Sequence, residues 1–171
     1  HYKGFAPLFA SDQFTFRTVF HNGIVERAGD DLLGPRSSVD GVSVLTDVIR
    51  NAEGLAERLG NPAFIKGKQY PKMLADALNK GAVEQFVGLN VNDAFLPGYE
   101  GDKELSVQIL GPWPETGSNG ALRWFGDNGK TKNGHSIVLK VVYRDVRLLL
   151  GGDLNIPAEN HLLTNHCGEP I

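Results

Sequence analysis

Apolar and polar residues alternate along short stretches of the chain, which is the pattern of strands that bury one face. The stretch 14–20 alternates with phenylalanines on one face, and the Asn22-Gly23 pair after it is a strong turn signal. The stretch 104–110 alternates in the same way and ends at a Gly-Pro pair, and 83–88 is a third candidate. We therefore predict strands in all three places.

Between the first two of these strands, the apolar spacing changes to three and four residues, the repeat of an amphipathic helix. It predicts a helix over about 39–59, which Gly60 ends. A second helix is predicted over 71–80, with Pro71 suited to its first turn and Gly81 to its end. The apolar stripes are Leu45, Val48, Ala52, Leu55 and Leu59 on the first helix and Leu74, Ala77 and Leu78 on the second. We interpret both stripes as faces that pack in the core.

The C-terminal third predicts a hairpin. Residues 136–143 are rich in β-branched and aromatic side chains, Arg144-Asp145 predicts a tight turn, and 146–150 is a second strand. This second strand is strongly apolar, as a strand covered on both faces is. The Gly-, Asn- and Pro-rich stretch 113–132 is predicted to be a long loop. The mixture of strands and helices favours an α/β or α+β fold, and a chain of 171 residues is expected to be a single domain.

Asp153 is the first residue in this pattern that suggests chemistry. Gly151 and Gly152 let the backbone bend directly after the second hairpin strand. A carboxylate at the carboxyl end of a strand is well positioned to hold a metal ion or to orient a water molecule. Aspartate after glycine is also a common turn residue or helix N-cap, and the residues from Pro157 onward predict a short helix just beyond. The residues themselves leave both interpretations open.

Composition and charge narrow the classes of protein without choosing a function. The formal net charge of −3 leaves no general electrostatic footprint for nucleic-acid binding, although it allows a local basic patch. The single cysteine, Cys167, forms no internal disulfide and no cysteine cluster for zinc. No apolar run approaches the roughly 20 residues of a membrane span, and the first residues lack a signal-peptide pattern. We expect a cytoplasmic chain without a membrane partner, and the missing initiator Met suggests that it begins inside a longer product or after processing.

Three sequence features resemble the metallo-β-lactamase fold superfamily, and in particular its competence-type hydrolase domains. Residues 105–112 look like the strand that ends in Leu-x-Pro in that group. The most specific match spans 133–159, where Ser136-Ile-Val-Leu is followed by Leu-Leu-x-Gly-Asp153 and then by Ala-Glu. His1-Tyr-Lys-Gly resembles the end of the family's first metal motif, His-x-His-x-Asp-His. The helical block 39–80 has no counterpart there and is interpreted as an insertion.

The resemblance implies a four-layer αββα sandwich with a metal site, usually dinuclear, at one edge of the sheets. It implies that Asp153 bridges the two metals and that His1 binds one of them. Zinc or manganese is the implied cofactor, and a metal-bound hydroxide is the implied nucleophile on an ester-type bond, because the cations lower the pKa of water. A phosphodiester or nucleotide is the first expected substrate, while lactams, lactones and thioesters remain open since fold does not fix function.

The chain also departs from the family pattern. The upstream His-x-His-x-Asp and the downstream His-His-Gly-Ser elements are not in this sequence, and Asn133 stands where the third-motif histidine falls. His135 is close to that place and is a candidate ligand. His161 and His166 are expected to be surface or cap histidines, although His166-Cys-Gly faintly resembles the downstream element. We therefore expect a sandwich that is incomplete at its N-terminus, and a partial ligand set that holds a metal weakly or not at all in this chain.

Two other functions remain open. A non-catalytic binding or assembly module would account for the missing ligands, and the apolar sheet face of an incomplete sandwich is expected to find a partner chain, for example in a homo-oligomer. Gly152-Asp153-Leu154-Asn155 also resembles the Gly-Asp-x-Asn element of the exonuclease-endonuclease-phosphatase family, which implies a phosphodiesterase with Asp153 and Asn155 at its phosphate site. That family's Ser-Asp-His element and early glutamate have no counterpart here.

Overall fold

The computed structural model of the chain describes residues 2–101 and 104–166, and it contains both helices and strands, which confirms the α+β prediction. The strands are β1 (Phe16–His21), β2 (Arg36–Val39), β3 (Val42–Leu45), β4 (Val83–Gly88), β5 (Leu105–Gly111), β6 (Leu122–Arg123), β7 (Val138–Tyr143) and β8 (Val146–Leu150). The helices are α1 (Phe5–Ala10), α2 (Ala52–Leu59), α3 (Pro62–Ile65), α4 (Gln69–Lys80), α5 (Asn128–Gly134) and α6 (Ile156–Asn165), with short 3-10 turns at Tyr2–Gly4 and Val91–Asp93.

The contacts divide the chain into two compact units. The first unit comprises His1–Pro35 and Asp47–Gly88, and the second comprises Arg36–Thr46 and Leu89–Ile171. The segment 36–46 belongs to the second unit although it lies between two segments of the first. The chain therefore leaves the first unit after residue 35 and returns to it at residue 47. The prediction of a single domain over 1–171 stays a prediction.

The first unit is built on a two-stranded parallel pair, in which Phe16 lies opposite Val83 and His21 opposite Gly88. The helices α2, α3 and α4 connect the two strands, as a parallel pair requires. Its core contains buried apolar side chains of β4, α1, α2 and α4, among them Phe9, Leu55, Leu59, Leu74, Val83 and Phe86. Phe16 and Val19 of β1 are partly buried and pack against it. The predicted strands 14–20 and 83–88 are therefore confirmed. The predicted core stripes are confirmed from Leu55 onward, while Ala52 is not part of the core cluster.

The predicted helix over 39–59 is wrong in its first half. Residues 36–45 form the antiparallel hairpin of β2 and β3, because Asp40 and Gly41 turn the chain at φ values of 49° and 80°. Helix α2 begins only after Asn51, whose side chain accepts a hydrogen bond from the Gly54 N–H at the helix N-terminus. The second predicted helix is confirmed as α4, and Gly81 ends it in the left-handed conformation at φ 74°.

The second unit contains two antiparallel three-stranded sheets, with strand orders β2-β3-β6 and β5-β7-β8. The predicted hairpin of β7 and β8 is confirmed, and its register runs from Tyr143 opposite Val146 to Leu139 opposite Leu150. The expectation that 146–150 is covered on both faces is wrong, because all five residues of β8 are exposed. The predicted loop 113–132 is partly structured, since it contains β6 and the start of α5, where Asp127 caps the helix.

Candidate functional site

Asp153 lies on a turn directly after β8, and its side chain is exposed. Its backbone N–H donates a hydrogen bond to Ser136 Oγ at 3.0 Å, so the turn is fastened to the start of the neighbouring strand. Gly152 before it has a φ of 60°, and a Cβ at that position would lie 2.7 Å from Ser136 Cβ. Only glycine combines this conformation with so close an approach. The glycine hinge predicted before Asp153 is therefore confirmed, and it presents the carboxylate at the surface of the second unit.

Asn155, not Asp153, caps the helix that follows. Asn155 Oδ1 accepts a hydrogen bond from Ala158 N–H at 3.3 Å, and Asn155 Nδ2 donates one to Lys130 O at 2.8 Å. The alternative interpretation of Asp153 as the cap of this helix is therefore wrong, while its position on a turn is confirmed. Both the oxygen and the nitrogen of the Asn155 side-chain amide make hydrogen bonds within the protein. Asn155 is therefore a structural residue that connects α6 to α5.

The residues that the structure describes do not fit a resident metal ion. Among residues 2–101 and 104–166, no group of three or more His, Cys, Asp and Glu side chains is close enough to hold one. His1, the second predicted ligand, lies outside the described residues. A single carboxylate is a weak site, since metal affinity depends on the number and geometry of ligands.

His135, the third candidate ligand, is a core residue of the second unit. It is 1% exposed, its Nε2 lies 2.7 Å from Arg123 O, and its ring packs against Phe125 with centroids 5.0 Å apart. Burial lowers the pKa of its imidazole to about 4, so the ring is neutral at pH 7. These contacts explain its presence without a metal ion.

His161 and His166 are also buried, which contradicts their prediction as surface residues. His166 ends α6, so its expected capping position is confirmed, and its Nε2 lies 2.9 Å from Leu110 O. His161 lies within the helix, with Nε2 at 3.4 Å from Trp113 O. His166 thus connects the end of α6 to β5, and His161 connects α6 to the segment that follows β5, roles that no sequence spacing indicated.

A polar cavity of about 340 Å³ lies beside His161. Its charged residues are Glu115 and Arg123, which form a two-point ion pair at 2.7 and 2.9 Å. Hydrogen bonding to Arg123 lowers the pKa of the Glu115 carboxyl. The negative charge of Glu115 and the positive charge of Arg123 cancel each other. The cavity therefore offers hydrogen-bonding groups but little net charge to a ligand.

His21 is the buried polar residue of the first unit that sequence reasoning missed. Its Nδ1 accepts a hydrogen bond from Gly23 N–H at 2.9 Å, while its buried Nε2 has no hydrogen-bond partner. The ring lines a mainly aromatic cavity of about 250 Å³, together with Phe9, Tyr70 and Phe86. Its place at the end of a strand, just before an Asn-Gly turn, was the signal available in the sequence.

Comparison with known proteins identifies no relative. No family model, no curated protein and no solved structure matches this chain.

The longest helix described, α4, has 12 residues, and no helix in the described ranges is long and apolar enough to cross a membrane.

Proposed function

We propose that this chain is part of a metal-dependent hydrolase of the metallo-β-lactamase type, an αββα sandwich in the complete protein. Asp153 is the acidic residue that the chain contributes to the site, and a phosphodiester or nucleotide is the first substrate to test. The observation that supports the proposal most is the hairpin of β7 and β8 followed by an exposed aspartate on a glycine hinge. The hydrogen bond from Asp153 N–H to Ser136 Oγ adds to it, because it holds the turn in one position.

The proposal requires ligands beyond the residues that the structure describes. Of the candidate ligands Asp153 and His135 within them, only Asp153 lies at the surface. The three buried histidines of the second unit contact backbone carbonyls. Under this proposal His1 and further residues complete the site. Zinc or manganese, when bound, would supply an electrophile and an activated water.

Replacing Asp153 with asparagine tests the proposal directly. The variant should bind Zn²⁺ or Mn²⁺ at least about tenfold more weakly than the unchanged chain, because a neutral amide replaces an anionic ligand. Equilibrium dialysis followed by elemental analysis measures the bound metal. Asp145→Asn is the matched control, since Asp145 is also an exposed aspartate and lies in the turn of the same hairpin.

The longest available form of the protein is the right sample for this measurement. Less than about half an equivalent of zinc, manganese or iron after native purification would contradict the proposal, as a site with a full ligand set retains its metal. Equal metal binding by the Asp153→Asn and Asp145→Asn variants would contradict the role of Asp153.

A non-catalytic assembly module is the second candidate function. Two observations favour it: the described residues hold no three-ligand group, and the apolar strand β8 is exposed. If the unchanged protein retains metal and Asp153→Asn loses it, the result supports the hydrolase. If the unchanged protein holds no metal, the result supports the assembly module.

A further inference from the structure

The strand β8 is an edge strand whose apolar side chains are open to solvent. Among the described residues it pairs with β7 on one side only. The exposed fractions are 55% for Val146 and Leu148, 60% for Leu149 and 51% for Leu150. The opposite edge of the same sheet is occupied, because Leu96 N–H donates to Val107 O on β5 at 2.8 Å. The open backbone of this sheet is therefore confined to β8.

One face of this sheet is apolar across all three strands. The registers place three residues from each strand on it, namely Leu105, Val107 and Ile109 of β5, Leu139, Val141 and Tyr143 of β7, and Val146, Leu148 and Leu150 of β8. Burial falls steadily across the face. Ile109 is 1% exposed, Leu139 and Val141 are half-buried, and the residues of β8 are more than half exposed. The buried part of this sheet face therefore ends before β8.

Exposed edge strands normally carry features that prevent pairing, such as proline, lysine or a bulge. β8 has neither proline nor lysine, and its pairing with β7 has no register shift. Arg147 is its one charged residue. An apolar, regular and uncovered edge is the geometry that accepts another strand.

We infer that β8 is the contact strand of a two-fold symmetric homodimer, in which the β8 strands of two copies pair antiparallel. In a two-residue hairpin the closing pair is hydrogen-bonded, here Tyr143 and Val146. The backbone groups of Arg147 and Leu149 therefore point to the open side. An antiparallel pair centred on Leu148 places Arg147 of each copy opposite Leu149 of the other, so these groups satisfy one another.

The residues of β8 are self-complementary in this register. Leu148 meets Leu148 of the second copy, and Val146 meets Leu150, so the apolar face continues into a six-stranded sheet. The positive charges of Arg147 are not placed opposite each other, which avoids the repulsion of directly paired like charges. The symmetric arrangement is closed, because each copy uses the one open edge of this sheet in the described part of the chain.

The size of the contact sets its expected strength. Pairing of one five-residue strand with its exposed side chains buries roughly 500 Å² per copy, below the standard value of about 800 Å² per partner. We therefore expect a dissociation constant on the order of micromolar rather than nanomolar.

Sedimentation velocity of the full chain between about 1 and 200 μM tests this inference at the concentrations where such a dimer dissociates. The unchanged chain should move from monomer to dimer across the series. Leu148→Lys should remain monomeric throughout, because it places two like charges against each other on the symmetry axis. Leu8→Lys is the matched control and should dimerise normally, since Leu8 is an exposed leucine of α1, 41% accessible, in the first unit.

Amide hydrogen exchange on the same samples identifies the strand. The N–H groups of Arg147 and Leu149 should become protected as the concentration rises, and this protection should be lost in Leu148→Lys. A chain that stays monomeric throughout, assemblies that grow beyond two copies, or dimerisation without protection at these amides would each overturn the inference. The inference does not depend on the hydrolase proposal, because metal binding and dimerisation are measured on different residues.

Discussion

Replacing Phe86 with alanine should lower the free energy of unfolding of the first unit by about 3 to 5 kcal/mol, the range for a buried phenylalanine. Phe86 is 1% exposed on β4, and its ring meets the ring of Phe9 edge to face at a centroid distance of 6.1 Å. Its removal leaves a space beside the existing aromatic cavity, which the parallel strands cannot close without losing their register.

Urea unfolding followed by far-ultraviolet circular dichroism measures this effect, because the helices α2 and α4 contribute much of the helical signal. The fluorescence of Trp113 and Trp124 reports on the second unit, which contains both tryptophans. Glu84→Ala is the matched control on the same strand. Its exposed side chain predicts a change within about 0.5 kcal/mol. A loss below about 1 kcal/mol in Phe86→Ala would show that Phe86 does not pack as described.

Lowering the pH from 7 to 4 should destabilise the protein steeply, with the buried histidines as the main cause. Burial lowers the pKa of His21 and that of His135 to about 4, against 6.5 for an ordinary histidine. Between these two values the unfolded chain binds more protons than the folded chain, so stability falls as the pH falls. Stability from both groups is fully present above pH 6.5 and is lost progressively towards pH 4, by about 3 kcal/mol for each.

The carboxylates titrate in a different range. Salt bridges to Arg27 and Arg58 lower the pKa of Asp47 despite its partial burial, so that group loses its contribution only below its ordinary value of 3.8. The Glu115 carboxyl, whose pKa is lowered from an ordinary value of 4.5 by its hydrogen bond to Arg123, contributes below that value. Thermal unfolding between pH 7 and about pH 5 therefore reports mainly on the histidines. His21→Asn and His135→Gln keep an amide near the bonded ring nitrogen and remove the titration. Each should flatten the pH dependence of its own unit, and an unchanged slope in both would contradict the assignment.

Local signals in the sequence predict most of the elements. Gly60 and Gly81 mark the ends of α2 and α4, and alternating or apolar runs locate β4, β5, β7 and β8. The error at 39–51 has a physical cause. Leu45, Val48 and Ala52 fit a helical stripe by spacing, but the left-handed turn at Asp40-Gly41 favours a hairpin. The burial of Val44 and Leu45 on β3 then favours the strand.

Tertiary contacts decide the remaining features, and a single sequence does not contain them. An apolar run such as 146–150 is typical of a strand buried on both faces, but its coverage depends on elements distant in the chain. Similarly, the position of Asp153 after a glycine hinge is visible in the sequence, whereas the number of ligands near it is not. His135 looks like a ligand by position, and only its contacts to Arg123 and Phe125 identify it as a core residue.

The parallel pairing of β1 with β4 has a consequence for synthesis of the chain. Thr18 lies opposite Gln85, and these partners are 67 residues apart. At about 5 to 20 residues per second, a ribosome needs roughly 3 to 13 seconds to supply the second strand after the first. During that interval the phenylalanines of β1 have no partner strand, whereas the β7–β8 hairpin closes within microseconds of its emergence. A chain leaving the ribosome therefore exposes these aromatic side chains for seconds before the strand that pairs with β1 exists.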